Sequence, residues 1–196
     1  MEKNAYTLQE FIDDLRRITS EVTEERTVLS RVRPLAKRAA LAKSWLTPEL
    51  YSANQEQGYG VNVLHVEPDN TLFVAAVSWL PGRGAAPHNH GTWAVVVGVD
   101  GPERNIFWER QDDRSRPGYA ELKKIGEKVC DEGDVVALPT GAIHEVQNET
   151  ERTTLSFHVY GRHLNHTGRS QFDPTNRTET LLIVKTQNRP SCAPTR

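Results

Sequence analysis

Cysteine is nearly absent from this chain, methionine occurs once, and no apolar run is long enough to cross a bilayer. Each shortage excludes something. Cys130 and Cys192 cannot build the disulfide framework of a small secreted domain, so a reducing, cytoplasmic setting is expected. No stretch approaches the ~20 consecutive apolar residues of a membrane span. The opening "MEKNAYTLQEF" has no basic region followed by an apolar block, and no signal peptide is expected. Charge of one sign is lacking too. The 24 Lys and Arg set against 26 Asp and Glu leave a net charge of −2, with the signs interspersed. That balance speaks against nucleic acid or an anionic membrane surface as a partner.

What remains is an ordinary globular composition, 37% hydrophobic and 26% charged. At 196 residues the chain suits one domain whose core needs no disulfides. Leu8, Phe11, Ile12, Leu15 and Ile18 recur at helical spacing, with Thr7 as the N-cap and Glu10 completing a capping box. A second helix is predicted from Pro34, at its first turn, through "LAKRAALAKSWL" to the Thr47-Pro48 break. From about Tyr59 the texture changes to short β-rich runs. "VNVLHV", "TLFVAAVSWL", "WAVVVGV", "NIFWER", "DVVALP", "IHEVQN" and "TLSFHVY" alternate with turn signals such as "EPDN", "PGRG" and "PTGA". Many short strands with such punctuation predict an antiparallel sandwich or barrel. The expected layout is a helical segment over residues 1–55, a β-barrel over 56–187 and a flexible tail over 188–196. The class is α+β, mainly β.

Of seven histidines, His88 and His90 stand one residue apart, and alternation along a strand would put both on one face. A third, His144, sits in "GDVVALPTGAIHEVQN". There Gly133, Pro139, Gly141, His144 and Asn148 are spaced G-x5-P-x-G-x2-H-x3-N. Upstream, five residues separate Gly82 from His88-x-His90, and Gly101 follows eleven positions after His90. These two stretches resemble the signature motifs of the cupin superfamily, a small β-barrel that holds a metal inside one end. The glutamate that family places four residues after the second histidine is Ala94 here. The resemblance therefore implies a metal held by His88, His90 and His144 with no carboxylate. Imidazole suits Fe, Zn, Cu and Ni, so ligand type alone does not select the metal.

In "LSFHVY", Ser156, His158 and Tyr160 share one strand face. That face is either a polar ladder inside a barrel or the outer side of an amphipathic strand with Leu155, Phe157 and Val159 inward. Three-histidine cupins with a Ser-x-His-x-Tyr strand are similar to the thiol dioxygenases, the group of cysteine dioxygenase and 3-mercaptopropionate dioxygenase. The likeness spans roughly Tyr59 to Pro174 and includes "HNHGTW" and "YGRHLNHTGRSQFDP". It implies Fe(II) on His88, His90 and His144, with O2 and a small carboxylate-bearing thiol as the reacting partners. The thiol would leave as its sulfinate. Ser156, His158 and Tyr160 would form an outer catalytic triad.

Three positions bear on the subfamily. Animal cysteine dioxygenases carry a cysteine five residues after the second histidine, cross-linked to the tyrosine; Val95 stands there, and no cross-link is expected. Mercaptopropionate-type enzymes bind the substrate carboxylate through an arginine nine residues beyond the tyrosine, which is Arg169. Their glutamine on the first strand corresponds to Val61 or Asn62. Cysteine-like, mercaptopropionate-like and mercaptosuccinate-like thiols all remain open. His65, His163 and His166 read as surface or satisfied histidines. Arg83 and Arg162 read as solvated loop positions, and Trp79 and Trp93 as core aromatics. One rival function is a zinc or nickel cupin doing isomerisation or hydrolysis, which would want a carboxylate near the metal. Another is a small-molecule sensor, for which residues 1–55 lack a helix-turn-helix signature.

Overall fold

Thr7 starts the first helix in the way its sequence predicts. Its hydroxyl accepts from the backbone N–H of Glu10 at 3.2 Å, and its own N–H donates to the Glu10 carboxylate at 2.7 Å. In the computed structural model, which describes residues 6–188, α1 runs Leu8–Glu21. The second helix differs from expectation. α2 spans Glu25–Ala42 and is capped by Glu24, whose carboxylate accepts from the N–H groups of Arg26 and Thr27. Pro34 lies inside it rather than at its start. A proline there removes one backbone hydrogen bond. It sits on the exposed face, where water can serve the released carbonyl, while Val28, Val32, Ala36, Ala39 and Ala40 bury the opposite stripe. The helix stops at Lys43, which turns with φ 52°.

A one-turn 3-10 helix at Pro48–Tyr51 leads into the barrel. Its strands are β1 Tyr59–Val66, β2 Thr71–Trp79, β3 Gly84–His88, β4 Ala94–Asp100, β5 Glu103–Arg110 and β6 Leu122–Cys130. They continue as β7 Val135–Leu138, β8 Ile143–Gln147, β9 Thr154–Arg162, β10 Ser170–Asp173, β11 Thr178–Leu181 and β12 Thr186–Asn188. Two six-stranded sheets result, ordered β12-β1-β2-β9-β4-β7 and β11-β10-β3-β8-β5-β6. Successive strands alternate between the two sheets over β2–β5 and again over β6–β10, the pattern of a double-stranded β-helix, and the chain has the mainly-β cupin fold with two N-terminal helices. The motif glycines Gly82, Gly101 and Gly133 all turn with positive φ, between 63° and 85°. Side chains with a Cβ rarely adopt that conformation.

The first sheet is buried on both faces. Phe11, Leu15, Val32 and Ala36 from the helices pack on Val74, Val95, Val97, Leu155, Phe157 and Val159. Phe157 lies between the rings of Phe11 and Trp45, at centroid distances of 5.5 and 5.0 Å. The alternate residues of the same strands, including Phe73, Ala94, Val96 and Tyr160, face the interior with Val146 of the other sheet. This double burial settles the direction of β9. Its apolar residues go to the helices, which frees the Ser156, His158, Tyr160 face for the barrel interior. No described helix is long and apolar enough to cross a membrane. The tail expected over 188–196 falls outside the described residues from 189 on, and Cys192 with it.

Candidate metal centre

The three motif histidines converge. His88 ends β3, His144 lies opposite it on β8, and their Cα positions are paired in the ladder. His90 stands beyond the end of β3 rather than on it. The expectation of two histidines along one strand face therefore needs correction, since only His88 is in the strand. The chain keeps its extended course because the Asn89 N–H donates to the Ser170 carbonyl and the Ser170 N–H to Asn89 Oδ1. Gly91 then reverses it with φ 62°. Ring centroids are 5.1 Å apart for His88–His90, 4.7 Å for His88–His144 and 5.0 Å for His90–His144. One nitrogen from each lies within 4.8 Å of the others, and all three residues are buried.

Their hydrogen bonds leave the inward nitrogens free. The Nδ1–H of His88 donates to the Ala86 carbonyl at 2.8 Å, and that of His144 to Asn105 Oδ1 at 3.0 Å. Each Nε2 is thereby left as a bare lone pair, the tautomer a metal requires. Burial pushes His88 down to about 3 and holds His90 and His144 well below the usual imidazole range, with the Arg169 charge adding to the effect. Three neutral, convergent imidazoles around a shared point fit a metal ion, and His90 Nδ1 has no partner among the described residues.

Beside them runs a chain of hydrogen bonds. The Trp79 indole N–H donates to Ser156 Oγ at 3.0 Å. Ser156 Oγ lies 2.8 Å from His158 Nε2, and His158 Nδ1 lies 2.7 Å from the Tyr160 hydroxyl. The Tyr160 ring is 5.2 Å from that of His90. Burial keeps His158 neutral, down to about 3, and raises Tyr160 well above the ordinary phenol value. Val95 points into the helical layer, and the residue paired with Tyr160 across β4 is Ala94. Neither side chain carries a thiol. Val61 faces the interior of the barrel. Asn62 is turned away from it, donating to the carbonyls of Leu50, Ser52 and Ala76.

Arg169 is only 4% exposed. Its charge acts on His88, His90, His144, His158 and Tyr160, and the chain beside it is tied to the histidines: Ser170 bonds Asn89, and Gln171 pairs with His88. Burial lowers its pKa, opposed by the phenols of Tyr160 and Tyr59. Its Nε has no hydrogen-bond partner, and among the described residues no carboxylate pairs with it. Asp173, four residues on, is taken up by Thr175 and Asn176. A cleft of about 360 Å³ lined by Glu56, Tyr59, Ala86, Gln171 and Lys185 opens alongside.

The other candidates stay outside. His65 bonds Glu67, His163 packs on Phe73, His166 is exposed, and so are Arg83 and Arg162. Three residues of the centre were not read from the sequence as such: Asn105, Glu103 and the indole of Trp79. Glu103 and Asn105 are 3% and 1% exposed on one face of β5, followed by Phe107 packed against the inner core. A polar residue alternating with an inward aromatic is the same signal that marked β9. Asn148, the last residue of the second motif, ties turns together by donating to the carbonyls of Trp79, Leu80 and Arg152.

No protein-family model matches the chain. Among solved structures it is similar to an oxalate oxidase in complex with the substrate analogue glycolate, at 16% identity and TM-score 0.44, covering 60% of this chain and 59% of that one. The match thus spans less than two thirds of the oxalate oxidase. A cupin superfamily protein from Desulfitobacterium hafniense DCB-2 aligns at 14% identity and TM-score 0.40, over 57% of this chain and 82% of the other. A protein with a double-stranded β-helix domain from Klebsiella pneumoniae aligns at 14% identity and TM-score 0.42, over 65% and 96%. Likeness at this level assigns no reaction.

Proposed function

We propose that this barrel binds Fe(II) at His88, His90 and His144 and oxidises a small thiol bearing one carboxylate to its sulfinate. The observation that carries the reading is Arg169, a buried guanidinium with no carboxylate counter-ion among the described residues, beside three buried imidazoles. A cation left unpaired at such a depth is costly unless a ligand completes it. A carboxylate is the matching group, because the planar fork of arginine accommodates its two oxygens. A single such cation suits one carboxylate; the second carboxylate of mercaptosuccinate would enter without a partner. When bound, Fe(II) would supply a Lewis-acidic position that favours thiolate over thiol and the redox chemistry for dioxygen.

The protein's own part is placement. Arg169 would fix the carboxylate end, so that the sulfur end of a short thiol reaches the histidine centre. The Tyr160 hydroxyl is held by His158 and its ring lies against that of His90, so the phenol would hydrogen-bond to what binds there. Ala94 and Val96 on β4 and Phe73 on β2 close the interior against water. The reaction R–SH + O2 → R–SO2H puts both oxygen atoms on sulfur and keeps the proton on the product. The four electrons leaving sulfur equal those dioxygen takes up, so no further reductant is required. An all-imidazole ligand set, with Ala94 where a carboxylate ligand would stand, speaks for this over the isomerase or hydrolase alternative.

The test is oxygen consumption by Fe(II)-loaded protein across 3-mercaptopropionate, cysteine, mercaptosuccinate and 2-aminoethanethiol, with mass analysis of products made under 18O2. A sulfinate carrying two labelled atoms is expected from a monocarboxylate thiol. Absence of oxygen uptake with every thiol, or full activity of the zinc-loaded protein after iron removal, would overturn the proposal.

A further inference from the structure

His88, His90, His144 and Arg169 are all buried, so a ligand reaches them only when part of the barrel moves. The topology limits where that can happen. β1 pairs with β12 and β2, and β3 pairs with β10 and β8. Among the described residues no ladder joins β1 to β3, and the barrel has a seam there. The cleft of about 360 Å³ lies on that seam, with Tyr59 of β1 on one side and Gly84, Ala85 and Ala86 of β3 on the other. Its lining is one bond from the centre at three points. The Ala86 carbonyl accepts from His88 Nδ1, Gln171 pairs with His88 in the ladder, and the Leu182 N–H donates to the Arg169 carbonyl.

One segment spans the seam. Residues 182–185 run from β11 of one sheet to β12 of the other and cross it as a strap. Leu182 and Val184 turn inward to the cluster that holds Tyr59, Phe73 and Tyr160, while Ile183 and Lys185 face solvent. Side chains hold the strap there. Asn165 clasps Val184: its Oδ1 accepts from the Val184 N–H at 3.0 Å, and its Nδ2 donates to the Val184 carbonyl at 2.9 Å. Gln57 Oε1 accepts from the Lys185 N–H at 3.0 Å, and the Lys185 ammonium donates to the Glu56 carboxylate at 2.5 Å. Lys185 and Glu56 are both exposed, and an ion pair in water adds little hold. A segment kept by a few accessible bonds opens at lower cost than a strand inside a ladder. Its apolar inner face draws it shut again.

We infer that residues 182–185 are a strap over the β1–β3 seam, and that release of the Asn165 clasp and the Glu56–Lys185 latch admits the metal ion and the molecule that follows it, an inference that rests on the three-histidine metal centre and on no particular reaction.

Two measurements on the full-length chain test it. In the metal-free protein, hydrogen exchange should label residues 182–185 as one unit, faster than Val159 and Tyr160 of β9 by about tenfold or more. Asn165→Ala should speed the strap further and leave β9 as it was. The second measurement reads the centre. Glu56→Cys and Lys185→Cys are introduced together in a Cys192→Ser background, and the folded protein is loaded with Co(II), whose colour reports its occupancy. A short bis-maleimide then staples the strap; N-ethylmaleimide, which caps the same two thiols without joining them, is the control. Cys130 is buried and stays out of reach of both reagents. Loss of Co(II) to a chelator should be slower in the stapled protein by about tenfold or more. Equal release rates overturn the inference, as does a strap that exchanges no faster than β9. If the variant does not fold or takes up no Co(II), the exchange experiment on the wild type decides alone. Slowed release in a protein that oxidises no thiol removes the proposed reaction and leaves the strap standing; thiol oxidation with equal release rates does the opposite.

Discussion

Asn105 on β5 and His144 on β8 are joined by a 3.0 Å hydrogen bond in which the amide oxygen accepts from the imidazole Nδ1. Both residues are 1% exposed, so water does not compete for the contact. The bond holds His144 in one ring orientation and one tautomer, with Nε2 toward the other two histidines. Such outer partners tune a metal site nearly as strongly as its ligands do.

Asn105→Ala is therefore expected to weaken metal binding by about 10–100-fold while leaving the three histidines in place. Chelator competition at fixed pH measures it, and Asn105→Asp should recover most of the affinity because its carboxylate still accepts from Nδ1. Unchanged affinity in the alanine variant would mean that strand geometry alone orients His144.

Tyr160→Phe separates binding from turnover. The hydroxyl touches His158 but is not one of the converging nitrogen atoms, so the variant should retain a full complement of metal. Its rate with a carboxylate thiol should fall by about tenfold or more, which corresponds to ~1.4 kcal/mol or more of lost transition-state stabilisation. Metal content by elemental analysis beside oxygen uptake tests both halves. Loss of metal and rate in equal measure would assign the hydroxyl a structural role.

How much of this was legible beforehand depends on which residues one follows. His88, His90 and His144 were recognisable from spacing because the turns between them are built from glycine and proline at fixed intervals. Ser156, His158 and Tyr160 were ambiguous for a physical reason: β9 is buried on both faces, so alternation cannot say which face meets the helices. The charged strand β6, "LKKIGEKVC", escaped because its side chains are mostly exposed at a sheet edge. "GAAPH", the strand β3, has too little β-propensity to announce itself. α2 was read from Pro34 because proline usually marks a first turn, and only tertiary packing shows that its exposed face tolerates it. The solitude of Arg169 is a fact of three dimensions, since nothing in the sequence says that Asp173, four residues away, is taken up by Thr175 and Asn176. Glu103 and Asn105 were within reach, had the alternation in "ERNIF" been followed back two residues from "NIFWER".

Glu103 also predicts how stability varies with pH. Its folded pKa is raised from 4.5 to about 8 by burial. A carboxyl of that kind contributes its full stability below about 4.5, loses it progressively as pH rises toward about 8, and changes no further above that. Glu103→Gln has no such loss. The gap in unfolding free energy between the variant and the wild type should thus widen in favour of the variant across this window and then level off, reaching a few kcal/mol at most. Urea unfolding of the metal-free proteins at a series of pH values measures it, and the buried histidines cancel because both proteins share them. A gap that stays constant with pH would show that Glu103 is ionised in the folded protein throughout.

Arg169 decides the substrate class. It lies between Gly168, which turns with φ 66°, and Ser170 at the start of β10, and its own carbonyl accepts from the Leu182 N–H. The backbone is thus held on both sides, and replacing the side chain should leave the loop in place. What the replacement removes is the unpaired buried cation. Truncating one partner of a desolvated charge pair typically costs ~2–5 kcal/mol. For Arg169→Ala that means a loss of about one and a half decades or more in kcat/KM for 3-mercaptopropionate or cysteine. A thiol without a carboxylate, such as 2-aminoethanethiol, should lose far less and can gain, because its ammonium no longer faces a guanidinium. The quantity to compare is the ratio of kcat/KM for the two kinds of thiol in wild type and variant. A ratio that Arg169→Ala leaves unchanged would show that the carboxylate binds elsewhere, and the cleft beside Lys185 and Tyr59 would be the next place to look.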